Sequence, residues 1–559
     1  MQESACRDER GEAKLRTASL SFADVPFQSR LFLEYQSNST SLSRYFPSVV
    51  ASYEDVGNRV ADVLRNYPKH RDEVCNILID QNRDFDASEK VIQNIELLRG
   101  ENTVAVLTGQ QAGIFGGPLY TIHKAISAIK MAEDLRSRGI DAVPIFWAAT
   151  EDHDFAEIAE ALDIDASGAL LHSTVKATDD AAEKPVGDIK VAENIASLID
   201  EHIDSLPRTG FTENIRSLLK KCWSPEIPYG QAFCRFISSL FGKYGLIVVD
   251  PLDVRLKRLS APLITNAIEK TGEIVPSLVT RSKELEAAGY HAQVLVTDDH
   301  VPFFLIDKNG RRKSLKRSQD DRFHIHGERQ EFSTNELIAL AKKRPESISP
   351  AVMLRPVVQD FLFPAICYFG GGAEIAYFAQ NSEVYRILDR PVTPIFHRQS
   401  FTVIEPRHSR TLEKFDLKFT DIFAGFDALL PSIIDRFVNP QSARLFADVE
   451  ENINTELHKL DTELNKIDPT LAANLATRRR KILYHIAAMQ KKFHRVQGER
   501  DETVSRQLRS AFTELMPLGG LQERTIGITT YLNRHGHYFI DWLYNSLDLD
   551  DKGHRIIYL

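Results

Sequence analysis

The residues best equipped for chemistry gather in four short segments, each following a stretch that reads as a strand. Thr108-Gly109-Gln110-Gln111-Ala112-Gly113-Ile114-Phe115-Gly116-Gly117 places four glycines between an apolar run and a helical pattern. Glycines let backbone N–H groups approach a ligand, and a helix start favours negative charge, so a phosphate or carboxylate is the natural occupant. His123 and Lys124 fall in the first turns of that helix, within reach of such an anion. A tight strand-to-helix connection would explain the same glycines without a ligand. The segment matches neither G-x-G-x-x-G nor G-x-x-x-x-G-K-[ST], so the familiar dinucleotide and P-loop patterns are unsupported.

The second segment is Thr150-Glu151-Asp152-His153-Asp154. Three carboxylates and an imidazole can bind a cation, orient an amine, or serve as acid and base. If they converge, their negative charge favours the protonated form of His153. Mg2+ is compatible with so small a carboxylate set, and a helix cap by Thr150 or Asp152 is the plain alternative. In Gly370-Gly371-Gly372-Ala373-Glu374, which leads into a helix, Glu374, Tyr377 and Gln380 follow one row and could wall a polar pocket. His397-Arg398 adds a fixed cation after another strand-like run.

These segments need a scaffold that brings strand ends together. Thr103 to Leu107 reads as a strand, Thr121 to Leu135 as a helix, and Ala142 to Ala149 as a second strand, a β-α-β unit with a right-handed crossover. Further strand candidates are Leu246 to Val249, Gln293 to Val296, Phe303 to Ile306 and Val392 to Phe396, with a helix over Gly230 to Phe241. The alternation predicts a doubly wound α/β core, whose ligands bind beyond the carboxyl ends of the strands where strand order reverses.

Two insertions interrupt this core, near 160–228 and 301–350. In the second, Asp307-Lys308-Asn309-Gly310 is a hairpin signal. The basic run Arg311-Arg312-Lys313, with Lys316 and Arg317, could hold phosphate or simply form a solvated arm. Farther on, Val449, Ile453, Leu457, Leu460, Leu464 and Ile467 form one apolar seam, and Ile482, Ile486, Met489, Phe493 and Val496 a second. Asp468-Pro469 separates them, so the two arms fold back as an antiparallel helical coiled coil. The seams exceed what one hairpin hides, which predicts a homodimer.

Composition narrows the class. The chain has 559 residues, 26% of them charged, and a net charge of −9. Those values suit a folded protein and disfavour nucleic acid as a partner, since phosphate contacts need a basic surface. No apolar run approaches the roughly 20 residues that cross a bilayer, and Met1 to Arg16 lacks the apolar core of a secretion signal, so a cytoplasmic location is expected. Cys6, Cys75, Cys222, Cys234 and Cys367 are scattered without a C-x-x-C spacing; they read as reduced, mostly structural thiols, and no zinc site is expected.

The sequence resembles the cysteine-adding enzymes of bacillithiol synthesis, a cysteine ligase family. The resemblance is carried by TGQQAGIFGGPLYTIHKAISAIK (108–130), PIFWAATEDHDF (144–155), FGKYGLIVVDP (241–251), FGGGAEIAYFAQ (369–380), DPTLAANLATRRRKILY (468–484) and the terminal RIIYL. It implies a Rossmann-like core with connecting-peptide insertions over 1–430, a dimer-forming coiled coil over 431–516, and a segment over 517–559 that returns to the core. It also implies a ligase joining the carboxyl of L-cysteine to the amine of glucosaminyl malate, with activation by ATP or another nucleotide. In that scheme Thr108, Gly109, Gln110, Gln111, Gly113, Gly116, Gly117, His123 and Lys124 hold phosphate or the activated carboxyl. Glu151, Asp152, His153 and Asp154 position the amine and take its proton. Gly371, Glu374, Tyr377, Gln380 and Arg398 complete the pocket, with no metal ligands assigned. A non-catalytic dimeric nucleotide-binding or scaffold protein is the competing class.

Overall fold

The computed structural model describes residues 15–47, 53–177, 181–225, 227–318, 320, 322–500 and 502–559; Cys6 and most of the Met1 to Arg16 segment lie outside them. The chain divides into two compact units, Met1–Thr402 with Glu523–Ile557, and Val403–Gln522 with Tyr558–Leu559.

The first unit is organised around five parallel strands: β1 (Val104–Gln110), β2 (Ala142–Ala148), β3 (Ile247–Val249), β4 (Ala365–Gly370) and β5 (Ile395–His397). Their spatial order is β5-β4-β1-β2-β3. The chain runs outward from β1 through β2 to β3, then returns to the other side of β1 for β4 and β5. Strand order therefore reverses between β1 and β4. β2 is buried throughout and β1 up to its last residue, as a sheet covered on both faces requires. Pro144 is tolerated in β2 because pairing with β3 starts only at Ile145, opposite Ile247.

Helix α1 (Tyr120–Ser137) crosses from β1 to β2, α2 (Tyr229–Phe241) precedes β3, and α3 (Val254–Glu269) follows it. Helix α4 (Arg355–Leu362) leads into β4, and α5 (Gly372–Ile387) joins β4 to β5. Between β2 and α2 lie an antiparallel hairpin, Glu160–Ile164 with Leu170–Thr174, and the helices Ile195–Ser205 and Thr212–Cys222. Before α4, a five-stranded antiparallel sheet includes Phe303–Ile306, Arg312–Arg317 and Ile348–Pro350. Its first turn has Gly310 at φ +76°, with Asp307 Oδ1 accepting the N–H groups of Asn309 and Arg311.

The expected strand Gln293 to Val296 is absent. Val294 instead gives both backbone groups to the Gln380 side chain, at 2.9 Å each, and that amide does the work of a neighbouring strand. The strand β4, central to the sheet, escaped sequence reading because its apolar run Ala365-Ile366-Cys367-Tyr368-Phe369 merges into the glycines that follow.

In the second unit, α6 (Pro440–Ile467) and α7 (Pro469–Arg500) form the antiparallel hairpin, turned at Asp468, and Glu502–Leu515 continues beyond it. Phe446 packs against Phe493 with ring centroids 5.5 Å apart, and Arg479 donates to Asn454 at 2.9 Å. A smaller core of Phe415, Ile433, Val504 and Leu508 sits at its base.

Gly109 illustrates how tightly β1 and β2 pack: a Cβ there would lie 2.7 Å from the carbonyl oxygen of Trp147. Gly109→Ala is expected to lower stability by about 1–3 kcal/mol, measured as a shift of the denaturant midpoint at constant slope; an unshifted midpoint would refute the packing argument.

Candidate functional site

The sheet reversal brings the ends of β1 and β4 side by side, and α1 and α5 start from them. Thr108 Oγ1 donates to Phe369 O across the two strands at 2.9 Å. Lys124, on the second turn of α1, donates to Gly109 O at 2.9 Å and to Gln110 Oε1 at 2.8 Å, and forms an ion pair with Glu374 of α5. Glu374 in turn accepts Tyr368 OH at 2.8 Å and Gly371 N–H at 2.7 Å. Burial pulls the Lys124 ammonium below its ordinary range, against the opposing pull of Glu374. Tyr377 is half-buried beside this group, and burial with the Glu374 charge pushes its phenol well up.

A second cluster follows β2. Asp152 Oδ1 accepts the His153 N–H at 2.8 Å and faces Arg312 at 3.4 Å. Burial alone would raise the Asp152 carboxyl, but hydrogen bonding from His153 and the charges of Arg355 and Arg312 outweigh it and hold it below the usual range. Arg312 donates to His153 Nδ1 at 3.0 Å, to Ser349 Oγ at 3.1 Å and to Pro350 O at 3.3 Å, and stacks 3.7 Å above the Phe304 ring. The same Nδ1 lies 3.5 Å from Asp152 Oδ1, so the His153 ring sits between a cation and an anion. The negative charge expected around His153 is met by this arginine, which arrives from the inserted sheet. Burial and the like charge of Arg355 bring the Arg312 guanidinium down to about 10.

The charge of Arg355, at the start of α4, acts on Asp152 and Arg312 and also on Tyr368 and Tyr377. Its Nε is buried without a hydrogen-bond partner. Arg312 lies 3.4 Å from the Asp152 carboxylate, the charge of Arg355 bears on both and that of Glu151 on Arg312, and these fixed cations could receive a carboxylate or phosphate.

Other sequence candidates serve the protein itself. His123 and Arg398 both reach Glu523, at 2.8 Å and 2.6 Å, and all three are at most 3% exposed. Glu523 also accepts Ser400 Oγ at 2.8 Å and Phe401 N–H at 3.0 Å. Burial lowers the His123 imidazole. It would raise the Glu523 carboxyl, but Arg398 and His123 hold that well below its usual range. Gln380 is committed to Ser282 and Val294, Gln111 to Glu157 at 2.5 Å, and Asp154 caps the helix Phe155–Ile158. Glu151 pairs with Lys257 at 2.5 Å, 3% and 8% exposed.

The glycine loop is closed by its own packing. A Cβ on Gly113 would meet Gly117 Cα at 2.8 Å, and one on Gly116 would meet Phe236 at 2.7 Å. Phe115 and Gly116 are buried, so protein atoms occupy the space a phosphate cradle would need. In the basic hairpin Lys313 pairs with Glu183 at 2.7 Å and Lys316 with Asp299 at 3.0 Å, while Arg312 turns to the cluster after β2.

Sequence reading had Arg312 only as part of a basic run that could hold phosphate or form a solvated arm, and it did not single out Lys257, Arg355, Asp250 or Glu523. Asp250 had a detectable signal, since it directly follows β3. It accepts Thr150 Oγ1 at 2.5 Å, and burial raises its carboxyl to about 6. The four described cysteines are free and buried, and burial pushes the thiols of Cys75 and Cys222 up to about 11, which leaves them poor nucleophiles. Among the described residues no group of three or more His, Cys, Asp or Glu is placed to hold a metal, and no helix is long and apolar enough to cross a membrane.

Removing the shared acceptor should be costly. Glu523→Ala leaves a buried guanidinium unpaired and is expected to cost about 3–5 kcal/mol in denaturant unfolding. Because the Glu523 carboxyl is depressed in the folded state, its contribution is complete above the unfolded carboxylate range and is lost as pH falls. Wild type should therefore lose stability on acidification more steeply than Glu523→Gln; parallel pH profiles would count against this account.

Comparison with known proteins places this geometry. Residues 15–399 match the family model described as Bacillithiol biosynthesis BshC, N-terminal Rossmann-like domain, and residues 401–559 match Bacillithiol biosynthesis BshC, C-terminal coiled-coil domain. A relative from Koribacter versatilis, named "Putative cysteine ligase BshC", is 34% identical over 96% of this chain and 98% of its own. Relatives of the same name from Chlorobaculum tepidum and Bacillus cytotoxicus are 31% and 29% identical, covering 95% and 86% of this chain and 97% and 89% of their own. With both family domains matched in order and full-length relatives on either side of 30% identity, this chain belongs to the BshC family of bacillithiol biosynthesis.

Proposed function

We propose that the protein is a ligase that joins the carboxyl of L-cysteine to the sugar amine of glucosaminyl malate, giving bacillithiol. The reading rests on one observation above all: Arg312 lies against both Asp152 and His153 at the carboxyl end of β2, and the charge of Arg355 bears on the same carboxylate. The relatives' name supplies the cysteine. Arg355 and Arg312 offer the malate carboxylates a two-point contact. Asp152, kept ionised, accepts a hydrogen bond from the substrate nitrogen, which enters as the free amine, and the His153 ring faces the acyl oxygen through Nε2. When the amine attacks the activated carboxyl, the C–N bond forms, the activating group departs, and the nitrogen's proton passes to Asp152. A weak base suffices there, because nitrogen bound to a tetrahedral acyl carbon is far more acidic than a free ammonium.

Activation of the carboxyl is assigned to ATP or another nucleotide as co-substrate. The closed packing of the Thr108–Gly117 loop offers no phosphate cradle, so no step is routed through it. Purified protein, L-cysteine, glucosaminyl malate and each candidate energy donor should yield the new thiol by mass spectrometry, with AMP or ADP naming the activation chemistry. Asp152→Ala and His153→Ala should each slow product formation by about 10²-fold or more, with a native circular-dichroism spectrum at the assay temperature. Full turnover in both would remove them from the mechanism, and binding of both substrates without product would favour a non-catalytic role.

A homodimer through the helical hairpin is proposed as well. It is supported by Leu445, Leu460, Ile467, Leu471, Tyr484 and Met489, all exposed along α6 and α7. Sedimentation should report a dimer that Leu460→Glu with Met489→Glu converts to monomer; a wild-type monomer across the micromolar range would end this proposal.

A further inference from the structure

A small cavity of about 20 Å³ adjoins the charged rim, walled by Trp147, Glu151, Leu256, Lys257, Val358 and Leu362 among others. Each wall is tied to the site: Glu151 precedes Asp152, Val358 lies one turn beyond Arg355 on α4, and the Pro350 carbonyl on its lining holds Arg312. Most of the lining is apolar. Three polar features break it: the buried Glu151–Lys257 pair, Ser260, whose hydroxyl donates to the Lys257 carbonyl at 3.1 Å, and Trp147, whose indole N–H is buried with no hydrogen-bond partner among the described residues. A buried donor left unpaired is costly unless a bound group completes it. The volume accepts about one water-sized group. A thiol answers this description: one soft sulfur, a weak acceptor for an N–H, and a favourable neighbour for an aromatic ring.

We propose that this cavity receives the side chain of the amino-acid substrate, and that its size, indole N–H and apolar wall select the thiol of cysteine. The proposal rests on the ligase reading for the identity of that amino acid, and it names the place where cysteine is distinguished from alanine and from larger residues.

Calorimetric binding of L-cysteine, L-alanine and L-2-aminobutyrate to the full chain, with amide formation assayed in parallel, tests it. Alanine, which leaves the cavity empty, should bind at least about tenfold more weakly than cysteine. Ala261→Leu, which fills the cavity from its lining, should weaken cysteine about tenfold or more with glucosaminyl malate binding retained. Trp147→Phe removes the N–H with little change of volume and should erode the preference for cysteine over 2-aminobutyrate even if Ala261→Leu does not fold. Cysteine affinity unchanged in Ala261→Leu, selectivity unchanged in Trp147→Phe, or no cysteine binding by wild type would each overturn the subsite. Cysteine binding that follows these variants while no energy donor supports amide formation would overturn the ligase reading and leave the subsite standing.

Discussion

The ion pair between Lys124 and Glu374 is the joint on which the site depends. It stands where strand order reverses, and each partner also ties down backbone at a strand end: Lys124 holds the Gly109 carbonyl near the end of β1, and Glu374 holds the Gly371 N–H after β4. A buried pair of this kind adds little net stability, because desolvation offsets most of the attraction, but removing one partner strands the other. Its effect is to fix position. The starts of α1 and α5 cannot drift apart without exposing an unpaired charge, so the crevice that the topology opens between them keeps its shape.

The same logic organises the rest of the first unit. Glu523, from the late segment, gathers His123, Arg398, Ser400 and the Phe401 N–H around one carboxylate, and Glu151 is matched by Lys257. Where acceptors and donors balance, the charges are structural. The charges of Arg312 and Arg355 both bear on Asp152, and fixed cations at the carboxyl edge of a parallel sheet mark a place for an anionic substrate.

The glycine-rich loop shows how one pattern can have two physical causes. Four glycines after a strand suit a phosphate because they bare the backbone, and they suit close packing for the same reason. Here Gly109 lies against Trp147, Gly113 against Gly117, and Gly116 against Phe236. Only the neighbours' positions separate the two cases, and no spacing rule contains them.

Local chemistry in the sequence determined the elements: the alternation of apolar runs with helical periodicity marked β1, α1 and β2, Asn309-Gly310 marked the hairpin, and Asp468-Pro469 marked the turn of the long helices. It also placed chemically capable residues at strand ends, among them Lys124, Asp152, His153 and Glu374. Tertiary structure alone decided which of these face one another. Arg312 reaches His153 from 159 residues away and Glu523 reaches His123 from 400, distances over which periodicity carries no information. Partner choice is settled by burial, because a charge removed from water must find its opposite wherever the fold delivers one.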